Sequence, residues 1–246
     1  MKLQASKVGL EINVGKTGQI RLNQPIDSQL KPITLEGAEI AIVEDFKYLG
    51  SRVANSEADV KMRIGLAWAA FNKLKHILTS KLVAIDTKLR LFDAVCLSIL
   101  LYGAESWLLN DALASKLDVY ARNCYRIILG INQSEDHVTN EELYKRTNRR
   151  PVKATIRERQ LRFVGHCLRM QSDEPTHIYA LYTRKERATE IQTRRQGRPK
   201  RNYYDQIADY ICDIKGLKPT PTEIVKAAQD RSNWRKIVVA PNKPAR

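Results

Sequence analysis

The spacing of apolar residues changes at about residue 56, and this change constrains the fold of the 246-residue chain more than any other feature. Before it, short runs such as "ITLEG", "AEIAIVE" and "FKYLGSRV" are bounded by glycine, proline, asparagine and aspartate, which is typical of a small antiparallel sheet. After it, apolar residues recur every three to four positions, as on one face of a helix. The sequence therefore predicts an α+β fold that is mostly α: a small N-terminal antiparallel β-sheet, then a helical bundle and further C-terminal helices.

Start and stop signals place the individual helices. The first is predicted to start at Ser56, which would act as its N-cap, and to end with "LKHIL". The second, over residues 86–102, is apolar nearly all round and is expected at the centre of the bundle. Asp111 is expected to cap a third helix, which Gly130 ends. Further helices are predicted over residues 139–148, 151–170, 201–216 and 219–238.

Composition indicates an intracellular protein with a buried core. Hydrophobic residues make up 43% of the chain, enough to offset chain entropy on folding. The longest apolar runs, such as "AVCLSILLY", are far shorter than the roughly 20 residues of a membrane span, and no signal peptide is recognisable. The four cysteines form no CxxC pair. Reduced thiols, a location in the nucleus or cytoplasm, no secretion and no membrane partner are therefore expected.

Positive charge is unevenly distributed along the chain. The formal net charge is +15, yet residues 1–145 hold 18 lysines and arginines against 17 acidic residues. Residues 146–201 hold 16 against 5. A field concentrated in this way favours a polyanionic partner. Nucleic acid is favoured over a membrane surface, because arginine dominates and no strongly apolar face accompanies the charge.

The Gly-Lys-Thr at residues 15–17 is not predicted to form a nucleotide-binding P-loop, because the spacing of the two glycines does not fit. Such a loop needs two glycines separated by four residues. Gly9 and Gly15 are separated by five, and these alternate between apolar and polar. A short strand is therefore predicted here.

No active centre or metal site is predicted from the residue pattern. Glu44 and Asp45 are adjacent, so in a strand they point to opposite faces, and the sequence contains no Asp-Asp pair. His166 and Cys167 diverge by about 100° on a helix, and their spacing to Cys124 matches no zinc module. A nucleophile elbow of the form G-x-S-x-G is also missing.

The first of two basic stretches is "RRPVKATIRERQLRFVGHCLRM". It places Arg150, Lys153 and Arg157 on or near one helical face, with Arg162 close to that face. Glu158 is the one acidic residue in this stretch, so the positive charge is poorly compensated. A phosphate partner is one interpretation of the face, and a merely solvated face is the other.

The second basic stretch, "TRRQGRPKRNYY", combines cations with two tyrosines. Guanidinium groups can pair bidentately with phosphates, and tyrosine rings can stack on bases. Packing in a helix core is the alternative role for Tyr203 and Tyr204. The candidate nucleic-acid-binding residues of this stretch are Arg194, Arg195, Arg198, Lys200 and Arg201.

Five stretches in order along the chain carry a family resemblance: "KVGLEINVGKT", "FKYLGSRV", "RIGLAWAAFNKL", "LLYGAESW" and "RQLRFVGHCLRM". They resemble the C-terminal half of the reverse transcriptases of non-LTR (LINE-type) retrotransposons, and "GRPKRNYYDQI" resembles the tail of such reading frames. The resemblance runs from about residue 5 to residue 215. It implies a partial polymerase palm with the primer-grip hairpin over 1–53, a helical thumb over 54–131, a basic helical extension over 132–216, and a terminal helix and tail over 217–246.

The resemblance also implies roles for particular residues. Lys16 is similar to the lysine that is a candidate proton donor to the leaving pyrophosphate, a role it would have only in the full-length enzyme. Tyr48, Leu49 and Gly50 resemble the hairpin that presses on the primer strand. The thumb would hold a duplex by its backbone.

The resemblance implies no polymerisation by this chain alone, because the palm blocks with the catalytic aspartates would lie before Met1. No cofactor is then expected, although the full-length enzyme would use Mg²⁺. The expected function is that of a truncated RNA-directed DNA polymerase with residual template–primer or RNA binding, its partners being RNA, RNA–DNA hybrid or DNA. Two alternatives are a stand-alone nucleic-acid-binding protein derived from such an element and a helical interaction protein that binds an acidic partner.

Overall fold

The computed structural model of the chain describes residues 7, 9, 11–20, 32–35, 37–43, 46–53, 55–181 and 201–239. The chain folds as two compact units, residues 1–59 and 60–246. Helices predominate, and the strands of the described residues all lie in the first unit. The predicted fold class, α+β and mostly α, is confirmed.

The strands of the first unit form two-stranded ladders. They are β1 (Gln19–Ile20), β2 (Thr34–Leu35), β3 (Ala38–Glu39), β4 (Ile42–Val43), β5 (Phe46–Tyr48) and β6 (Ser51–Val53). The pairs β2–β3 and β5–β6 are antiparallel, as predicted, whereas β1 pairs with β4 in parallel.

The strand predicted before Gly15 is absent from the described part of this stretch. Val14–Lys16 form a 3₁₀ turn instead, in which the Asn13 side chain accepts the Lys16 backbone N–H at 3.1 Å. Asparagine side chains compete with strand hydrogen bonding by bonding their own nearby backbone, which explains the difference.

The helices begin with α1 (Ser56–Leu78), which starts in the first unit and continues into the second. Next, α2 (Ile85–Phe92) continues through a π-helical turn, Asp93–Leu97, into α3 (Ser98–Leu100). The remaining helices are α4 (Asp111–Leu129), α5 (Gln133–Asp136), α6 (Asn140–Thr147), α7 (Val152–Cys167), α8 (Pro175–Ala180), α9 (Tyr203–Lys215), α10 (Pro221–Gln229) and α11 (Arg231–Val239). None of the helices in the described part of the chain is long and apolar enough to span a membrane.

Two predicted caps are displaced by one residue. Asn55, and not Ser56, accepts the first free N–H groups of α1, at 3.0 Å from Glu57 and 3.1 Å from Ala58. Asn110 caps α4 through the N–H of Leu113. In both cases an asparagine in front of the predicted residue supplies the side-chain oxygen that a helix N-terminus needs.

The single helix predicted over residues 219–238 is two helices. Asp230 adopts an extended backbone conformation between α10 and α11. Its carboxylate accepts the N–H groups of Ser232 at 2.8 Å and Asn233 at 3.2 Å. A residue that caps the second helix in this way cannot continue the first.

The helices bury two hydrophobic clusters. The large buried side chains of the first cluster include Phe71, Phe92, Leu100, Trp107, Leu117, Tyr120, Tyr125 and Leu143. The second cluster includes Leu161, Val164, Leu168, Ile207, Ile211, Ile224, Trp234 and Ile237. Helix α7 contributes to both, because Val152 and Ile156 pack in the first cluster and Leu161 and Val164 in the second.

Two buried glutamines hold the segment between α3 and α4, which contains "LLYGAESW". Gln160 donates from Nε2 to the carbonyls of Ala104 at 2.8 Å and Trp107 at 2.9 Å. Gln206 accepts the backbone N–H of Leu109 at 2.7 Å. This segment has little regular structure of its own, so α7 and α9 satisfy its buried backbone groups.

Gly165 in α7 allows Trp234 of α11 to pack directly on the helix backbone. A Cβ atom at position 165 would lie 2.0 Å from the Trp234 Nε1 atom. The same indole nitrogen donates to the Leu161 carbonyl at 2.8 Å. The glycine in "RFVGHC" therefore has a packing role.

Candidate nucleic-acid interface

The three primer-grip candidates lie at the tip of the β5–β6 hairpin. Leu49 and Gly50 form its two-residue turn, and both have positive φ, +47° and +86°. Positive φ at both positions is the signature of a type I′ turn, which favours asparagine or glycine. Leucine in this conformation costs roughly 1–2 kcal/mol, yet Leu49 is 75% exposed and Tyr48 60%. The hairpin thus displays two large apolar side chains to solvent.

Lys16, the candidate proton donor, lies in the 3₁₀ turn after Asn13. Its side chain is exposed. In this turn the backbone N–H of Lys16 also donates to the Asn13 carbonyl at 3.1 Å. Both polar side chains therefore belong to one short, locally stabilised segment.

The described cations of residues 146–201 all contact other protein groups. Their partners are carboxylates or backbone carbonyls, for Arg146, Arg149, Arg150, Lys153, Arg157, Arg159, Arg162, Arg169 and Arg201. Every cation in the described part of this region is therefore engaged in an internal contact, although the hydrogen-bond acceptors of Arg157 and Arg169 are uncharged carbonyls and Glu158 serves two arginines.

Arg157 is buried instead of facing solvent. Its Nη2 atom donates to the Tyr210 carbonyl at 2.6 Å, and its guanidinium carbon lies 5.6 Å from the Tyr210 ring centroid. Burial lowers the pKa of Arg157, with the negative charge of Asp213 opposing that shift. A guanidinium held between α7 and α9 in this way stabilises the helix packing and is not available to a phosphate.

Arg150 and Lys153 are exposed but ion-paired. Arg150 and Arg162 share the Glu158 carboxylate, and Lys153 Nζ lies 3.0 Å from Asp111 Oδ1. Ion pairs of this exposure contribute about 0–1 kcal/mol, so a phosphate can replace the carboxylate at little cost. Both residues stay candidates for a weak phosphate contact.

The N-terminus of α7 is capped from α4. Asp118 Oδ1 accepts the backbone N–H groups of Val152 at 2.5 Å and Lys153 at 3.4 Å. Burial raises the pKa of Asp118, against the lowering effect of these two hydrogen bonds. In contrast, the hydrogen bond from Lys153 lowers the pKa of the exposed Asp111.

The second basic stretch is described only at its end. Arg194, Arg195, Arg198 and Lys200 lie outside the described residues, as do Glu44 and Asp45. Arg201 pairs with Asp209 at 2.6 Å. The hydroxyls of Tyr203 and Tyr204 donate to the carbonyls of Glu105 at 2.6 Å and Pro219 at 2.9 Å. Both tyrosines therefore pack against the C-terminal helices, the alternative to stacking on bases.

Sequence reasoning missed a surface on the outer face of α1. Lys61, Lys73 and Lys75 are exposed and have no ion-pair partner among the described residues. Lys61 and Lys73 lie on one side of the helix with the exposed Gly65 and Ala69 between them, over about 18 Å, whereas Lys75 points about 160° away from Lys73. The signal was present in the sequence, since positions 61, 65, 69 and 73 recur every four residues away from the apolar stripe of α1.

The candidate metal ligands do not form a site. Among the described residues no three His, Cys, Asp or Glu side chains are grouped closely enough to hold a metal ion. The four cysteines are free; Cys124 packs in the first cluster and Cys167 is buried in α7.

A transposon-derived protein of Caenorhabditis elegans is 27% identical to this chain, over 96% of the chain and 85% of the nematode protein. The similarity supports a transposon origin. No family model matches the chain, and no solved structure matches it.

Proposed function

We propose that this chain is the C-terminal part of a non-LTR retrotransposon reverse transcriptase, with the palm end, primer grip and thumb, and that it binds a template–primer or RNA. The tip of the β5–β6 hairpin carries the proposal. There the sequence "FKYLGS" coincides with a strained turn that keeps Leu49 and Tyr48 exposed. Backbone strain beneath an exposed apolar side chain is typical of binding sites, which favours a role in contacting a partner.

The outer face of α1 supports the same proposal. Its lysines are unpaired within the described residues, and Gly65 and Ala69 allow close approach of a backbone. The aromatic residues of this helix, Trp68 and Phe71, pack inward against each other, and Trp68 also contacts Tyr120. Among the described residues the face therefore has no base-stacking platform. Cations without aromatic rings favour contacts with the phosphates of a duplex over contacts with splayed bases.

Polymerisation itself is not assigned to this chain. Its described residues include no carboxylate cluster that fits Mg²⁺. The role of Lys16 as a proton donor therefore stays a prediction for an enzyme that also contains the catalytic aspartates.

The test compares two exposed leucines. Leu49→Asn keeps a residue that tolerates positive φ but removes the apolar tip. Leu82→Asn removes another leucine, 97% exposed between α1 and α2, and serves as the control. Kd is measured by fluorescence anisotropy with a labelled RNA–DNA hybrid that carries a single-stranded RNA overhang.

We expect Leu49→Asn to weaken binding about tenfold, because contact by one leucine side chain contributes about 1.5 kcal/mol. The control is expected to bind as the wild type does. Equal Kd values for the wild type and Leu49→Asn would refute the role of the hairpin.

A further inference from the structure

We propose that α11 forms a second phosphate-binding surface, which contacts the backbone of a nucleic acid through Arg231, Arg235 and Lys236. This surface lies outside the regions that the family resemblance relates to template–primer binding. It would extend the contact with a nucleic acid to the C-terminal helices.

The core fixes the orientation of α11. Trp234, Ile237 and Val238 are buried in the second cluster, and the Trp234 indole is hydrogen-bonded to the Leu161 carbonyl. The opposite face is therefore presented to solvent by a helix with a fixed rotation. Its exposed cations are Arg231, Arg235 and Lys236.

Several carboxylates of the C-terminal helices are committed to other contacts. Asp205 and Glu223 belong to the capping boxes of α9 and α10, and Asp230 caps α11. Asp209 pairs with Arg201 and Lys218. None of the three α11 cations has an ion-pair partner among the described residues, in contrast to the cations of α7.

The chemistry of the face fits a phosphodiester. Ser232, Arg235, Lys236 and Val239 follow one helical face and border a shallow, open depression. A guanidinium can bind a phosphate bidentately, an ammonium adds a point charge, and a hydroxyl adds a donor. The anchors of protein partners are enriched in tryptophan and tyrosine as well as arginine. The aromatic residue of α11, Trp234, is buried, which favours a nucleic acid over an acidic protein.

Three variants, each with three positive charges removed, test the proposal. The α11 variant is Arg231→Gln, Arg235→Gln and Lys236→Gln. The α1 variant is Lys61→Gln, Lys73→Gln and Lys75→Gln. The control removes exposed cations elsewhere, through Arg90→Gln, Lys145→Gln and Arg146→Gln. Binding to the labelled RNA–DNA hybrid is measured over a salt series, and retention on immobilised polyglutamate is measured in parallel.

Each phosphate that a protein neutralises contributes about 0.7–0.9 to the slope of log affinity against log salt. The α11 variant is therefore expected to lose about two slope units and to bind about tenfold more weakly than the control at physiological salt. An α11 variant equal to the control would overturn the second surface, whatever the α1 variant does.

The remaining outcomes separate this surface from the proposed function. An α1 variant equal to the control, together with a weakened α11 variant, supports the second surface and contradicts the phosphate contact of α1. Loss of polyglutamate retention with unchanged hybrid binding by the α11 variant would show that α11 serves an acidic protein, and the proposal would be wrong.

Discussion

Gln206 donates from Nε2 to Gln160 Oε1 at 2.7 Å, and neither side chain is exposed to solvent. The pair joins α9 to α7. Both amides also donate to the Trp107 carbonyl, at 3.1 Å from Gln206 and 2.9 Å from Gln160. The C-terminal helices are therefore needed to satisfy the backbone of a segment that precedes them by about a hundred residues.

We expect Gln206→Leu to lower the free energy of unfolding by about 2 kcal/mol, since the buried N–H of Leu109 loses its acceptor. The matched control is Gln171→Leu, because Gln171 is exposed. Its effect should stay within about 0.5 kcal/mol. Urea unfolding followed by circular dichroism gives both values, and equal midpoints would contradict the structural role of the amide pair.

Gly165→Ala is expected to destabilise the protein by about 1–3 kcal/mol, because the new methyl group overlaps the Trp234 indole. Gly65→Ala, in the exposed part of α1, meets nothing within 4 Å. It should stabilise the protein by about 0.5–1 kcal/mol through its higher helix propensity. The two substitutions are chemically identical, so the same sign of change in both would contradict the packing at Gly165.

Ionisation of the Asp118 carboxyl should lower the free energy of unfolding as pH rises. Its pKa is raised by burial, so the folded state binds the proton more tightly than the unfolded chain does. The cost is absent below the unfolded value of about 3.9 and grows as pH rises through the folded value. Asp118→Asn avoids this cost and keeps an acceptor for Val152, so its stability relative to the wild type should increase from pH 3 to pH 7.

Asp111→Asn provides the comparison of opposite sign. The pKa of Asp111 is lowered by Lys153, so its contribution is present above the unfolded value and is lost as pH falls through the folded one. The variant should therefore be slightly less stable than the wild type at pH 7 and equal to it at low pH. Parallel pH profiles of the two variants would contradict these assignments.

Arg157→Met should separate stability from binding. The variant loses the charged hydrogen bond to the Tyr210 carbonyl, and we expect the free energy of unfolding to fall by about 1–3 kcal/mol. Because Arg157 is buried, the salt dependence of hybrid binding at a temperature where the variant is folded should not change. A slope lowered by about one would show that Arg157 does contact a phosphate.

The first unit should exchange its amide hydrogens faster than α4. Its strands are two or three residues long, and Ile40 is the one buried apolar side chain among its described residues. Helix α4, in contrast, buries residues from both ends of its length in the first cluster. Short ladders with little buried surface open at low free energy. Equal protection of residues 46–53 and 111–129 in hydrogen exchange would refute this expectation.

The helices were predicted well because their faces and ends are set by residues that are close together in the sequence. The apolar period located α1 and α4, and Gly130 and Gly216 end their helices in the left-handed conformation. The errors at Asn55 and Asn110 have a local cause too, since two adjacent residues could each cap the helix. Asp230 was missed because its capping of α11 competes with an otherwise continuous apolar pattern.

Long-range contacts explain what the sequence could not predict at the candidate interface. Nothing near Arg157 indicates that a carbonyl 53 residues away accepts its hydrogen bond. The same holds for Asp118, which caps a helix that begins 34 residues later. Charge counting treated Arg157 as a surface group, whereas tertiary structure decides which cations remain available to a partner. The exposed lysines of α1 could have been predicted from the sequence, but the denser positive charge of residues 146–201 drew the prediction to that region.

Helix α7 supplies side chains to both clusters, and this fixes its length. One residue inserted between Ile156 and Leu161 would rotate everything after it by about 100° and shift it by about 1.5 Å. Leu161 and Val164 would then leave the second cluster while Ile156 stayed in the first. A transposon copy that gains or loses a single codon at this point would lose one hydrophobic core, so codon insertions and deletions among folded descendants should be confined to the segments between helices.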